Sequence, residues 1–295
     1  MPSIKDLKKR ITSTKNTQQT TKAMKMVSAA KLRRATDAIL SQRPYALEIA
    51  KLMSVLAGQG ASTSENEVAA RKPLTLLVVF SADRGLCGGY NANVIRAASN
   101  FLAEKASSGK AVKTLFVGKK AYEIVKGRYQ LDLLHYEEFG AKITFRKASE
   151  LSKKSLALFE AGEVDEIVFI YNEFKNAMTQ EVKTDRVLPL DMSHHEKDDP
   201  AAHSLHSELA IYSPDKKTLY EALAAKYFVV QLFKAMLEAQ ASEHGSRMTS
   251  MENATKNAGD MIRKLTLQYN KQRQASITKE LLEIIAGSES QKVQG

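Results

Sequence analysis

The sequence predicts an α/β protein in which a doubly wound central sheet lies between two long terminal helices that pair with each other. Three observations predict this fold class. The first 57 residues contain no glycine, short apolar runs alternate with helical patterns in the middle, and the last long segment has apolar residues at alternating steps of three and four. These features are typical of helix, buried parallel strand and coiled-coil helix, respectively.

Residues 1–57 are predicted to form the first long helix. Their only proline after Pro2 is Pro44, which is expected to kink or break the helix. Residues 12–21, TSTKNTQQTT, have no large apolar side chain, but we expect them to be helical because helical patterns flank them and no Gly or Pro interrupts them. The apolar positions form the narrow stripe of a coiled coil, at Ile4, Leu7, Ile11, Met24, Val27 and Ala30.

Residues 58–73, GQGASTSENEVAARKP, are predicted to be a linker, and residues 74–215 a central α/β domain. Apolar runs of strand length alternate there with helical patterns, as expected for a parallel sheet covered on both faces, of the doubly wound, Rossmann-like type. Strands are expected at residues 74–80, 113–117 and 164–171, with others near 178–190 and 206–212. Helices are expected at about 91–106, 119–126 and 145–161.

Residues 216–286 are predicted to form the second long helix, followed by a tail at 287–295. The sustained heptad spacing indicates packing along a seam against another helix and not against a broad sheet. At 1.5 Å per residue the two helices would be roughly 85 Å and 105 Å long, so we expect them to project from the sheet domain and pair antiparallel. The seam positions are Tyr227, Val230, Lys234, Leu237, Ala241, His244, Met248, Met251, Thr255, Ala258, Ile262, Leu265 and Tyr269.

Composition and length exclude several classes of protein. A chain of 295 residues with 43% apolar residues and 14 glycines can bury a core and is neither collagen nor a disordered polymer. No apolar run approaches the roughly 18 residues that span a bilayer, and MPSIKDLKKR lacks the apolar core of a signal peptide. We therefore expect the chain to stay in the compartment where it is made. The single cysteine, Cys87, cannot form an internal disulfide, which fits a reducing compartment.

The net charge of +11 lies at the two ends of the chain. Residues 1–57 hold 12 Lys/Arg against 3 Asp/Glu, and residues 216–286 hold 11 against 7, whereas residues 58–215 hold 20 against 22. An acidic partner is therefore expected to contact the ends. From the residues alone, that partner is either a negatively charged protein or a nucleic acid.

The segment SADRGLCGGYN, residues 81–91, follows a predicted strand where phosphate-binding loops occur, but it matches neither GxGxxG nor a P-loop. We interpret it as a tight strand-to-helix turn in which Cys87 is a small packed residue.

The histidines of residues 193–206 match no familiar zinc spacing and are interpreted as part of a solvated loop. No arrangement of Ser, His and Asp indicates catalysis. The four histidines between residues 193 and 206 are His194, His195, His203 and His206.

Four segments strongly resemble the gamma subunit of the rotary F-type ATP synthases. The first begins at Ile11 and contains TKAMKMVSAAKLRRA at 21–35, with the match described from Ile11 to Arg34. The other three are DRGLCGGYN at 83–91, SRMTSMENATKNA at 246–258 and YNKQRQASITKELLEII at 269–285. With the order of elements, the resemblance covers nearly the whole chain. It implies a non-catalytic subunit with no cofactor and no bound metal.

The resemblance also implies a role and a set of partners. The role is that of a central rotor stalk, one copy per complex, which couples rotation of the membrane c ring to conformational changes at the catalytic sites during ATP synthesis or hydrolysis. The implied partners are three alpha and three beta subunits, the epsilon subunit and the c ring, with no nucleic acid. The implied location is the cytoplasmic face of the bacterial inner membrane, as a peripheral protein.

Seven residues match partner-contact positions by the same resemblance. Met24 and Lys25 are expected to face the acidic lever loop of a beta subunit, with Arg247 on the facing helix. The remaining matches are Arg273, Gln274 and Thr278, for contacts with the catalytic subunits, and Tyr212, for the c ring.

Two other classes of function remain open alternatives. A nucleic-acid-binding coiled-coil protein would bind DNA or RNA with an affinity that falls steeply with salt. A nucleotide-dependent enzyme built on the central sheet would bind ATP or NAD as the isolated chain.

Overall fold

The computed structural model describes residues 3–57, 74–140, 142–189 and 215–293. The chain divides into two compact units. The first, the terminal unit, joins Met1–Val27 with Met248–Gly295, and the second, the sheet unit, is Ser28–Arg247. The predicted linker at 58–73 and the histidine-rich loop at 193–206 lie outside the described residues.

The described helices and strands follow one another in the order that the sequence predicts, with one additional strand. The helices are α1 (Ile4–Ala57), α2 (Tyr90–Ser107), α3 (Lys119–Lys126), α4 (Phe145–Glu160) and α5 (Lys216–Val293). The strands are β1 (Leu74–Phe80), β2 (Ala111–Val117), β3 (Asp132–Glu137), β4 (Glu166–Phe174) and β5 (Gln180–Leu188).

Helix α1 runs without interruption through the polar residues 12–21 and through Pro44. Residues 12–21 are helical, as predicted, and the Thr14 and Thr20 hydroxyls donate to carbonyl oxygens four residues earlier, at 2.8 and 3.0 Å. These bonds satisfy the polar side chains within the helix itself. Of the kink or break predicted at Pro44, the break is wrong, because α1 continues past Pro44 to Ala57, and the kink stays a prediction. Pro44 is exposed, so water can bond the carbonyl that its missing N–H leaves free.

The buried stripe of α1 differs in register from the one predicted. Leu7 is buried and Ile4 and Ile11 are half-buried, as expected. Val27, however, is 57% exposed, and the adjacent Ser28 is buried instead. Ala30 is also exposed, so this part of the prediction is wrong. The buried position is Ser28, a small polar residue that a pattern of apolar side chains does not indicate.

The described strands form a five-stranded mixed sheet in the order β3-β2-β1-β4-β5. The pairs β3–β2, β2–β1 and β1–β4 are parallel, whereas β5 pairs antiparallel with β4. The wholly parallel sheet that the sequence predicts is therefore corrected at this edge. Strand β3 was not predicted, because it is a half-exposed edge strand without a continuous apolar run. The strand expected near 206–212 lies outside the described residues.

Helices cover both faces of the sheet, as the doubly wound prediction requires. Helices α2 and α3 share one buried cluster with Leu77, Val79 and Phe116, whereas α4 shares the other with Leu76 and Val78. The crossover helices change face where the strand order reverses, between β1 and β4.

Helix α5 uses its predicted seam and also packs on the sheet. All thirteen predicted seam positions are buried or half-buried. In the first part of α5, however, Phe228, Leu232 and Met236 join the sheet core that contains Phe169, with the Phe169 and Phe228 rings 5.6 Å apart. The expectation that this helix avoids a broad sheet is therefore wrong for its first part. The predicted tail at 287–295 is also corrected, since α5 continues to Val293.

Candidate functional site

At the carboxyl edge of the sheet, one side chain of the loop after β1 bonds the segments that follow the two neighbouring strands, β2 and β3. The Asp83 carboxylate accepts hydrogen bonds from the backbone N–H groups of Lys119, Phe139 and Gly140, at 3.2, 3.0 and 2.9 Å. These amides begin α3 and follow β3. An internal carboxylate thus ties the loop after β1 to the segments that follow β2 and β3, which supports the interpretation of residues 81–91 as a structural turn.

Helix α5 holds the loop at residues 83–91. The Ser246 hydroxyl donates to the Cys87 carbonyl at 2.6 Å, and the Arg247 guanidinium donates to the Gly85 carbonyl at 3.3 Å. Cys87 is 2% exposed, and burial raises the pKa of its thiol. A buried, protonated thiol is a poor nucleophile, so the interpretation of Cys87 as a packed residue is confirmed.

The same loop presents one apolar side chain to the outside. Leu86 is 63% exposed and has φ 64°, a left-handed conformation that is uncommon for a leucine. The residues on either side of Leu86 are both bonded by α5: Arg247 donates to the Gly85 carbonyl, and Ser246 donates to the Cys87 carbonyl.

Arg247 is part of a buried ion pair with Glu243. The Nη1–Oε1 distance is 2.6 Å, and each side chain is only 12% exposed. Burial raises the pKa of Glu243, while the Arg247 charge opposes that rise. Burial likewise lowers the pKa of the adjacent His244 to about 4, so His244 is neutral near pH 7. Within the chain, the guanidinium of Arg247 therefore bonds both Glu243 and the loop.

In the terminal unit, the first and last helices contact one another through polar groups. The Lys25 ammonium lies 2.6 Å from the Glu252 carboxylate. The hydroxyls of Thr21 and Thr255 lie 2.8 Å apart, and the Gln18 amide donates to the Thr255 carbonyl at 3.4 Å. As residue numbers rise along α1, those of the contacted residues fall along α5.

The predicted partner-contact residues differ in exposure and in the bonds that they make within their own units. Met24 is half-buried and Lys25 is paired with Glu252, whereas Arg247 is bonded within the sheet unit. Tyr212 lies outside the described residues. The exposed members on α5 are Arg273, Gln274 and Thr278.

The described ranges contain neither a metal-binding cluster nor a membrane-spanning helix. Across residues 3–57, 74–140, 142–189 and 215–293, no group of three His, Cys, Asp or Glu side chains is placed to hold a metal ion. Within those same ranges, no helix carries an apolar stretch that could reach across a bilayer.

Sequence comparison identifies the family. The family model described as ATP synthase matches residues 3–290. The ATP synthase gamma chain of Geotalea uraniireducens is 43% identical over 293 residues, covering 99% of this chain and 100% of the relative. The chain belongs to the ATP synthase gamma chain family. The ATP synthase gamma chain of Rhizobium leguminosarum bv. trifolii is 41% identical, and the match covers 98% of this chain and 100% of that relative. Gamma chains are non-catalytic subunits, so the resemblance found in the sequence is confirmed on this point.

Solved structures show the same fold in distant proteins. A chain of the Euglena gracilis mitochondrial ATP synthase, in a structure containing OSCP, F1 and the c-ring, matches with a TM-score of 0.71 at 22% identity. The match covers 97% of this chain and 94% of that chain. A chain from a structure of the rotor of the same synthase matches with a TM-score of 0.65.

Proposed function

We propose that this chain is the central rotor stalk of a proton-translocating F-type ATP synthase. Its rotation with the membrane c ring changes the conformations of the catalytic sites in turn, during ATP synthesis or hydrolysis. Because the subunit is asymmetric, identical sites around it meet different surfaces and therefore differ in conformation. It binds no nucleic acid and acts as a peripheral protein on the cytoplasmic face of the bacterial inner membrane.

The observation that carries the proposal is the reversed order of contacts in the terminal unit. Gln18 and Thr21 contact Thr255, and Lys25 contacts Glu252. This order is expected of an antiparallel two-helix coiled coil, which is stiff enough to transmit torque. The exposed surfaces of the two helices are mixed: basic side chains such as Arg10 and Arg263 lie among exposed apolar ones such as Met26 and Leu267.

The proposed partners follow from the family and from the exposed residues. The terminal unit contacts the ring of three alpha and three beta subunits, with one copy of the stalk per complex. Met24, Lys25 and Arg247 serve the contact with the lever loop of a beta subunit. Arg273, Gln274 and Thr278, which are exposed on α5, contact the catalytic subunits. The sheet unit contacts the epsilon subunit and the c ring, the latter through Tyr212.

We expect a Met24→Lys substitution to reduce proton pumping several-fold per ATP hydrolysed while assembly is retained. The added ammonium would lie beside the acidic lever loop and would hold the stalk at one rotational position by an ion pair. The measurement is ATP-driven acidification of membrane vesicles, divided by the rate of ATP hydrolysis.

The matched control is Met26→Lys, which introduces the same charge at an exposed position two residues away. We expect it to retain more coupling than Met24→Lys, and both variants to copurify with alpha and beta subunits. An unchanged pumping ratio in Met24→Lys would contradict the contact assigned to Met24.

A further inference from the structure

One carboxyl group is buried where α5 packs against the sheet. Glu238 is 7% exposed and is flanked on α5 by the buried residues Leu237 and Ala239. Its Oε1 lies 4.0 Å from the Lys234 ammonium, beyond hydrogen-bond distance. Its Oε2 is buried with no hydrogen-bond partner among the described residues. A buried carboxylate oxygen without a partner is costly, whereas a neutral acid costs much less.

The charges around Glu238 are already balanced without it. On the neighbouring strands, the Lys183 ammonium pairs with Glu173 at 2.8 Å, and the Tyr171 hydroxyl donates to Asp185 at 2.8 Å. The titratable groups that face Glu238 come from α5, β4 and β5. They are Lys234 on α5, Tyr171 and Glu173 on β4, and Lys183 and Asp185 on β5. Among these groups, two carboxylates already face two ammonium groups. An ionised Glu238 would add a third negative charge without a third positive one.

Burial raises the pKa of Glu238 from its usual 4.5 to about 7, with Lys234 opposing the rise. When α5 separates from the sheet and water reaches the carboxyl, the pKa returns towards its usual value. The packed state therefore binds more protons than the open state between these two values. Its stability is greatest below the lower value and falls as the pH rises through the upper one.

We propose that Glu238 is a proton-responsive switch, which as a neutral acid allows α5 to pack on β4 and β5 and which weakens that packing when it ionises. The switch goes beyond the rotor role and does not depend on it, since every group involved belongs to this chain. It would make the attachment of the long helix to the sheet depend on pH near neutrality.

Hydrogen–deuterium exchange of the full-length protein tests the switch. Peptides covering β4, β5 and residues 230–245 are compared at about pH 6 and about pH 8.5, after correction for the intrinsic dependence of exchange on pH. From the two pKa values, linkage gives an increase of about tenfold in the opening equilibrium over this interval. Glu238→Gln, which keeps the shape of the neutral acid, is expected to abolish the increase.

Glu181→Gln is the matched control, because Glu181 is an exposed carboxylate on β5. It is expected to keep the pH dependence of the native protein. The same pH dependence in Glu238→Gln, or none in the native protein, would overturn the proposal. Carbon-13 NMR of the Glu238 carboxyl in the native protein is a second test that needs no variant. A titration midpoint near 7 supports the switch, and a midpoint near 4.5 overturns it.

Discussion

A Gly118→Ala substitution is expected to lower the free energy of unfolding by about 4 kcal/mol, because strain and overpacking act together. Gly118 follows β2 with φ 104°, a conformation that side chains rarely adopt. A Cβ atom there would lie 1.9 Å from the Ser81 carbonyl oxygen, which is backbone and cannot rotate away. The measurement is the urea midpoint followed by circular dichroism.

The control for this prediction is Gly85→Ala in the neighbouring loop. A Cβ at Gly85 would meet nothing within 4 Å, so its effect should stay within about 0.5 kcal/mol. Equal midpoints for Gly118→Ala and the native protein would show that the turn after β2 is not as tight as described.

Arg247→Ala is expected to lower the free energy of unfolding by about 3 kcal/mol, because it leaves the Glu243 carboxylate buried and unpaired. It also removes the bond that α5 makes to Gly85. Since burial already raises the pKa of Glu243, the loss should grow as the pH rises and the unpaired carboxyl ionises. Denaturant unfolding at several pH values measures both effects.

A second variant separates the buried charge from the general loss of a side chain. Glu243→Leu combined with Arg247→Met removes both charges and is expected to recover most of the lost stability. Arg263→Ala, at an exposed position on the same helix, should be nearly neutral. If Arg247→Ala is as stable as the native protein, the ion pair has no structural role and Arg247 remains free for a partner.

The sequence was most informative where one physical signal dominated. Strand β1 was predicted to the residue, because a run of seven residues with six apolar side chains is typical of a strand buried on both faces. The thirteen seam positions of α5 are all at least half-buried, because heptad spacing fixes one face of a helix.

The errors arose where the outcome depended on distant residues. Heptad spacing could not show that Phe228 packs on the Phe169 ring, because the same helix face can meet a helix or a sheet. Nor could any local pattern show that Arg247 bonds a loop 162 residues away. The ion pair of Arg247 with Glu243 likewise appears only in the folded chain, and the partner contact that resemblance assigns to Arg247 stays a prediction.

The most direct test of the stalk proposal is a disulfide between cysteines introduced at Thr21 and Thr255, whose hydroxyls lie 2.8 Å apart. The test uses the assembled ATP synthase, with Cys87 replaced by serine. We expect the disulfide to form on oxidation and ATP-driven proton pumping to continue, because the two helices turn together as one shaft. Failure to form the disulfide, or loss of pumping that returns on reduction, would contradict the proposal.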